Sequence, residues 1–260
     1  MGLLPAIAER AHRMGAVALV KASEAAGPTP GRLGRQLPAG HAAGVEPVVL
    51  TGGYATTPSI WSVWERSLRA DGLSPSVFRL PDHGFGDIEQ TARALAGHVD
   101  AVRAATGSER VHLVGYSEGG LISRSVDRLL GHGEAIASIT TVATPNRGIS
   151  FGAIPDALVG VRLIRDAMPT AARQMQAGSE FMGRLDAPSS ARHRIPLTSI
   201  YTRAGDGMVI PASSPVLEGA RNVPIEGGLR HANHLAIVRR NADAYEAARA
   251  AVLAAGRSVD

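Results

Sequence analysis

The chain has 260 residues, 45% of them hydrophobic, and carries no cysteine, which excludes a disulfide framework, a thiolate metal site and a cysteine nucleophile. That length suits one α/β domain, which buries roughly 70–75% of the surface its unfolded chain exposes. The net charge of +4 comes from 27 basic residues, all but Lys21 arginine, yet no basic run exceeds Arg239-Arg240 and aromatics make up only 4%, so a nucleic-acid partner is not expected.

Residues 1–44 read as an N-terminal helix and linker ahead of a main domain at 45–260. From Leu3 to Ala26, apolar residues recur at helical spacing (Leu4, Ile7, Ala11, Met14, Ala18). Gly27 to Gly44 is rich in glycine and proline and reads as linker. The segment has no early basic region followed by a continuous apolar core, which makes it a poor secretory signal and points to the cytoplasm. Its best apolar stretch, Gly15 to Val20, is short and sits between Arg13 and Lys21, so stable membrane insertion is not expected.

From Val45 onward strand and helix patterns alternate. Pro47 to Thr51 is an apolar run ended by Gly52-Gly53, as in a parallel strand buried on both faces. The pattern then predicts a helix over Ile60 to Ala70, a strand over Val77 to Leu80, a helix over Ile88 to Thr106, a strand over Val111 to Tyr116 and a helix over Gly119 to Leu130. A fourth strand follows over Ile136 to Val142. Residues 149–194 hold no strand-like run, only short helical patterns such as Ala157 to Ala167 and Pro169 to Met175. They read as a cap-like insertion whose apolar residues, among them Phe151, Leu158, Met175, Phe181 and Met182, either line a pocket or form a core of their own. Strands over Leu197 to Thr202 and Asn222 to Ile225 and a helix over His234 to Ala255 complete the chain. Strands joined through helices imply right-handed crossovers and a mostly parallel, doubly wound sheet.

One segment carries chemistry. Gly115-Tyr116-Ser117-Glu118-Gly119 fits G-x-S-x-G, a weak pattern alone, but it lies where an apolar strand ends and a helix begins, the sharp turn a nucleophile elbow needs. A serine hydroxyl needs an adjacent base, and that base needs an orienting acid. On this architecture the acid and then the histidine follow the serine in the chain. Asp206 directly follows the strand Leu197 to Thr202, at the sheet edge that carries the elbow, whereas Glu218 and Glu226 are placed less well. His231 and His234 both lie after the last strand; His234 is the preferred base and His231 the alternate. An oxyanion hole would use the backbone N–H of Glu118 and that of Tyr54 in the loop Gly52-Gly53-Tyr54, with Gly53 as the fallback donor.

Other residues read as structural. Asp82-His83 belongs to a loop at a site rim, His112 to a hydrogen-bonded strand position, Trp61 and Trp64 to a packed helix face, and Arg147 to a loop hydrogen bond.

These segments resemble the α/β-hydrolase-fold lipases and esterases of bacteria, especially those of actinobacteria. VVLTGGYATTPSIW is similar to the first-strand oxyanion segment, with Gly52 where such lipases have histidine; GYSEGG resembles the elbow and TPNRG the segment after the next strand. QAGSEFMGRLD resembles a stretch of the lipase excursion, TSIYTRAGDGMV the acid-bearing segment and NHLAIV the histidine-bearing one. The resemblance spans Pro47 to Val238. It implies acyl transfer to water with Ser117 as nucleophile, His234 as base and Asp206 as its partner, acting on a small-molecule or lipid ester without metal or organic cofactor. An acyltransferase or thioesterase would use the same three residues, and a catalytically silent binding module is a third expectation.

Overall fold

The computed structural model describes residues 45–150, 168–188, 195–226 and 234–256. The expected helix at Leu3 to Ala26 with its linker, the pattern Ala157 to Ala167, and His231 lie outside the described residues.

Six strands form a single sheet in the order β2-β1-β3-β4-β5-β6: β1 Val48–Thr51, β2 Pro75–Phe78, β3 Val111–Tyr116, β4 Ile136–Val142, β5 Leu197–Thr202 and β6 Arg221–Ile225. All five pairings are parallel. Strands β1, β3 and β4 are buried along their whole length, because helices cover both faces.

Side chains of one strand alternate between those faces. Val49, Leu113 and Ile139 point into one core, closed by helix α2 (Ile88–Thr106), helix α3 (Glu118–Arg128) and the short helices α4 (Thr170–Gln174) and α5 (Glu180–Asp186). Val48, Leu50, Val114 and Tyr116 point into the other. That core is closed by the 3-10 turn Pro58–Trp61, helix α1 (Ser62–Ala70) and two C-terminal helices, α6 (Ala236–Arg239) and α7 (Ala242–Gly256).

Helix α2 shows how local chemistry sets an element. Asp87 caps it by accepting from the Gln90 N–H at 2.8 Å, and Gly107, at φ 68°, ends it in the left-handed conformation that favours glycine. Between them Ile88, Ala92, Leu95, Val99 and Val102 place one apolar stripe on the sheet.

Two expectations shift. Strand β2 runs two residues earlier than the expected Val77 to Leu80. The proline at 81 starts a 3-10 turn and biases Leu80 away from helix without pairing it, and β1 offers only four partners, which pair with Pro75–Phe78. The single helix expected over His234 to Ala255 is two: Arg240 leaves helical geometry, and the Asn241 side chain accepts from the Ala244 N–H at 3.0 Å and starts α7 afresh. The described part of the insertion is packed. Met175, Phe181, Met182 and Leu185 belong to the α2–α3 core, Gln174 bonds both the Ile88 N–H (2.8 Å) and Asp87 (2.9 Å), and Arg184 meets Glu89 at 2.8 Å. Met175, Phe181 and Met182 thus join the core of the main domain rather than a core of their own.

Leu113, wholly buried at the centre of the sheet, sets a test of this layering. Leu113→Ala is expected to lower unfolding free energy by about 2–5 kcal/mol in urea titration, whereas Val63→Ala, at a side chain 39% exposed, stays within about 0.5 kcal/mol. Equal losses at both positions would contradict the assigned core.

Candidate active site

Strand β3 ends at Tyr116 and helix α3 begins at Glu118, so Ser117 alone turns the chain, at φ 55° and ψ −125°. A residue with a Cβ held there costs about 1–3 kcal/mol, which the surroundings must offset. They do so through the Ser117 N–H, which donates to Val142 O at 2.8 Å, and the Ser117 carbonyl, which accepts from the Gly120 N–H at 3.1 Å. The flanking glycines are required by contact. A Cβ on Gly115 would enter the Gly119–Gly120 backbone, and one on Gly119 would enter the backbone of Thr51 and Gly52. Helix α3 therefore lies directly on the strand ends, and the serine side chain stands at the carboxyl edge of the sheet.

Asp206 follows β5 in a tight turn. Its Oδ1 accepts from the backbone N–H groups of Met208 (2.9 Å) and Val209 (2.8 Å), which fixes the carboxylate and leaves Oδ2 for His234 Nδ1 at 2.6 Å. Burial works to raise the pKa of this carboxyl. The His234 hydrogen bond and charge and the two N–H donors outweigh it and hold Asp206 below the usual carboxylate range.

His234 is tied at four points. Its N–H donates to Asp206 O at 3.1 Å, its carbonyl accepts from the Tyr116 hydroxyl at 2.8 Å, and its ring spans Asp206 and Ser117, with Nε2 2.8 Å from Ser117 Oγ. A carboxylate can only accept, so Nδ1 carries the proton and Nε2 is left to accept from the serine hydroxyl. The Tyr116 ring packs on the imidazole with centroids 4.9 Å apart. Ser117, His234 and Asp206 thus form one buried hydrogen-bonded chain. The alternate base, His231, lies outside the described residues.

The loop after β1 closes on the serine. A Cβ on Gly53 would come within 2.7 Å of Ser117 Cβ and 3.2 Å of its Oγ, so only glycine fits. Both the side chain and the N–H of Thr56 donate to Gly53 O, at 2.6 and 3.1 Å. This fixes the Gly53–Tyr54 peptide, and because that peptide is trans, the Tyr54 N–H faces away from Thr56. The Glu118 N–H lies in the first turn of α3, where amides have no partner within the helix. Behind Gly52 opens a cavity of about 320 Å³, lined also by Thr56, Pro58, Leu80, Asp82 and His83.

Two residues that hold the site, Tyr116 and Thr56, were not singled out for these roles by sequence. Tyr116 fills a variable position of the motif, and its hydroxyl finds His234 only through the fold, 118 positions away. The structural readings hold for His112, which contacts Ser138 Oγ at 2.8 Å and Glu46 at 3.2 Å, and for Trp61 and Trp64, which pack edge to face in the core. Asp82 and His83 are exposed at the cavity rim, and the Arg147 N–H donates to Ser214 O at 3.0 Å. Among the described residues, no group of three or more His, Asp or Glu side chains is arranged to hold a metal.

Two measurements test this geometry. Ser117→Gly relieves the positive φ and is expected to be more stable than Ser117→Ala by about 1 kcal/mol or more in chemical denaturation; equal stability would mean the turn is unstrained. Asp206 is lowered in the folded state, so its contribution is present above the unfolded value of about 3.9 and lost as pH falls toward the folded one. The stability advantage of the parent over Asp206→Asn should accordingly be constant near neutral pH and shrink below about pH 4. An advantage that does not change with pH would contradict the assigned hydrogen bonds.

No protein-family profile matches the chain. Over 122 residues it is 35% identical to a triacylglycerol lipase of Pseudarthrobacter phenanthrenivorans, an alignment that covers 43% of this chain and 36% of that protein. The match thus spans about a third of the length of this curated relative. Among solved structures, the chain is similar to the mature form of a lipase from Bacillus licheniformis, with a TM-score of 0.67 at 16% identity, covering 84% of this chain and 96% of that one. It is also similar to an α/β-hydrolase enzyme from the sediment metagenome of the Mar Chica lagoon, Morocco, with a TM-score of 0.54 at 16% identity over 79% of this chain and 90% of that one. The parallel sheet, the strand-to-helix turn at Ser117 and these likenesses agree: the chain has the α/β-hydrolase fold.

Proposed function

We propose that this chain is a serine carboxylic ester hydrolase of lipase or esterase type. The hydrogen-bonded chain from Asp206 through His234 to Ser117 carries this reading. In the first half-reaction His234 Nε2 takes the proton of Ser117 as Oγ attacks the ester carbonyl carbon, and the carbonyl oxygen becomes an oxyanion. Asp206 holds the imidazole in the tautomer that can accept and stabilises the imidazolium that forms. Collapse of the tetrahedral intermediate expels the alcohol, which takes its proton from His234, and leaves an acyl group on Ser117. Water then gives a proton to His234 as its oxygen attacks the acyl carbon, and collapse of the second tetrahedral intermediate returns that proton to Ser117 Oγ and releases the acid.

The oxyanion would be met by the backbone N–H groups of Tyr54 and Glu118. Each such donor is worth ~3–4 kcal/mol of barrier. The clamp of Thr56 on the Gly53 carbonyl supports this assignment, because it fixes the Gly53–Tyr54 peptide before substrate arrives. The curated relative is named a triacylglycerol lipase, and esters of fatty acids, as lipids or small molecules, are the substrate class that follows for this chain.

Initial rates on p-nitrophenyl esters from acetyl to palmitoyl test the proposal. The parent is expected to turn over at least one of them, and Ser117→Ala to lose kcat by a factor on the order of 10⁶. Added alcohol should leave acid as the main product; accumulation of the transfer ester would make the chain an acyltransferase. Undiminished rates in Ser117→Ala would sink the serine mechanism.

A further inference from the structure

The side chain of Glu118 is the buried acid that the reaction above does not use. Only its backbone N–H has been given a role, yet the carboxyl is enclosed, with the residue 1% exposed. Neither carboxyl oxygen meets a hydrogen-bond partner among the described residues. It lies instead beside the backbone of Gly84, where the oxyanion loop also comes close. A Cβ on Gly84 would come within 2.5 Å of Glu118 Oε2 and 3.3 Å of Tyr54 Cα, so the carboxyl, the oxyanion loop and the turn Pro81–Gly84 meet at one point. The turn and the loop are joined there by the Ala55 N–H, which donates to His83 O at 2.8 Å, and by the edge-on contact of the Tyr54 and Phe85 rings at 4.9 Å.

An ionised carboxylate cannot be sustained in such a place. Burying an unpaired charge is far costlier than burying the neutral acid. The ionisable groups on the surrounding elements offer no compensation. Tyr54 on the loop is a neutral phenol, pushed up by burial and then by Glu118 itself; Asp82 and His83 on the turn are exposed. At the start of α2, Asp87 accepts from Gln90 and Gln174, and Glu89 pairs with Arg93 and Arg184. Asp206 and His234 are engaged with one another, and Arg124 on α3 with Asp186.

Resting on the ester-hydrolase reading, we propose that Glu118 is a positioning residue whose uncharged carboxyl braces the backbone of Tyr54 and Gly84 and so holds the oxyanion loop against Ser117. Burial keeps this carboxyl well above the usual range, in the direction opposite to Asp206 at the same site. A neutral acid fills the space under the loop without setting a negative charge against the oxyanion that forms above it.

The test uses the intact chain and Glu118→Gln and Glu118→Ala. The folded carboxyl is raised above its unfolded value of about 4.3, so its contribution to stability is complete below that value and is lost as pH rises toward the folded one. Above about pH 5, and until the folded carboxyl itself ionises, the unfolding equilibrium constant of the parent, divided by that of Glu118→Gln, should rise about tenfold per pH unit. A flat ratio would mean an ionised carboxylate and would overturn the proposal. Amide hydrogen exchange read by peptide mass spectrometry reports the bracing: Glu118→Ala should speed exchange over residues 52–56 and 81–85, and Glu118→Gln should restore protection. Unchanged exchange in Glu118→Ala would equally overturn it. If that variant does not fold, the proton linkage of Glu118→Gln decides alone. In ester assays Glu118→Ala should lose kcat by about 10- to 100-fold with little change in KM, and Glu118→Gln should recover most of it. Stability and exchange need no turnover, so a parent that hydrolyses no ester fails the functional reading and leaves the two physical measurements to judge Glu118.

Discussion

The rest of the site depends on a close approach between helix α3 and the ends of strands β1 and β3. Gly115 and Gly119 permit it, since a Cβ on either would enter neighbouring backbone. The chain then has one residue, Ser117, in which to change direction, and it does so at a positive φ that a serine adopts only under constraint. The constraint comes from β4, whose Val142 carbonyl holds the serine amide, and from the loop after β1, whose Gly53 backs the side chain. Once these strands are fixed side by side and parallel, the carboxyl ends of β1, β3, β5 and β6 all lie at the same edge. Residues far apart in sequence then meet there without strain of their own: Asp206 and His234 are 28 positions apart, Ser117 and His234 are 117.

Two carboxyl groups near Ser117 show how environment assigns chemistry. Asp206 and Glu118 are both buried, and burial alone would raise both. Asp206 escapes because three N–H donors converge on it, one from the imidazole and two from the backbone of its own turn. Glu118 meets no donor among the described residues and goes up. One group is thereby suited to partner an imidazolium and the other to fill space as a neutral acid, a separation of paired acids that recurs in catalytic sites.

Much of this was legible in the sequence, for identifiable reasons. Strands β3, β4 and β5 fall where expected, because apolar runs bounded by turn residues leave little choice when both faces are covered. Ser117 was legible because G-x-S-x-G sat at a strand end, and Asp206 because it followed a strand directly. Between His231 and His234 the local pattern only favoured one. What brings His234 to the serine is the pair of backbone bonds to Asp206 O and from Tyr116 Oη, contacts that no short window contains. Strand β2 shifted because its length was set by its partner β1 and by Pro81, and the last helix broke because Asn241 offered its side chain to the backbone. The Thr56 clamp and the Glu118 brace depend on loops meeting across the sheet edge, which composition and periodicity do not encode.

The central claim is that Ser117 is a nucleophile activated by His234. Incubation with a fluorophosphonate, followed by peptide mass spectrometry of the folded parent and of His234→Ala, tests it most directly. The account predicts one covalent adduct per chain, located on Ser117, and labelling at least about 100-fold slower without the histidine base. Parent protein that stays folded and unlabelled at Ser117, or labels equally fast in His234→Ala, would contradict it.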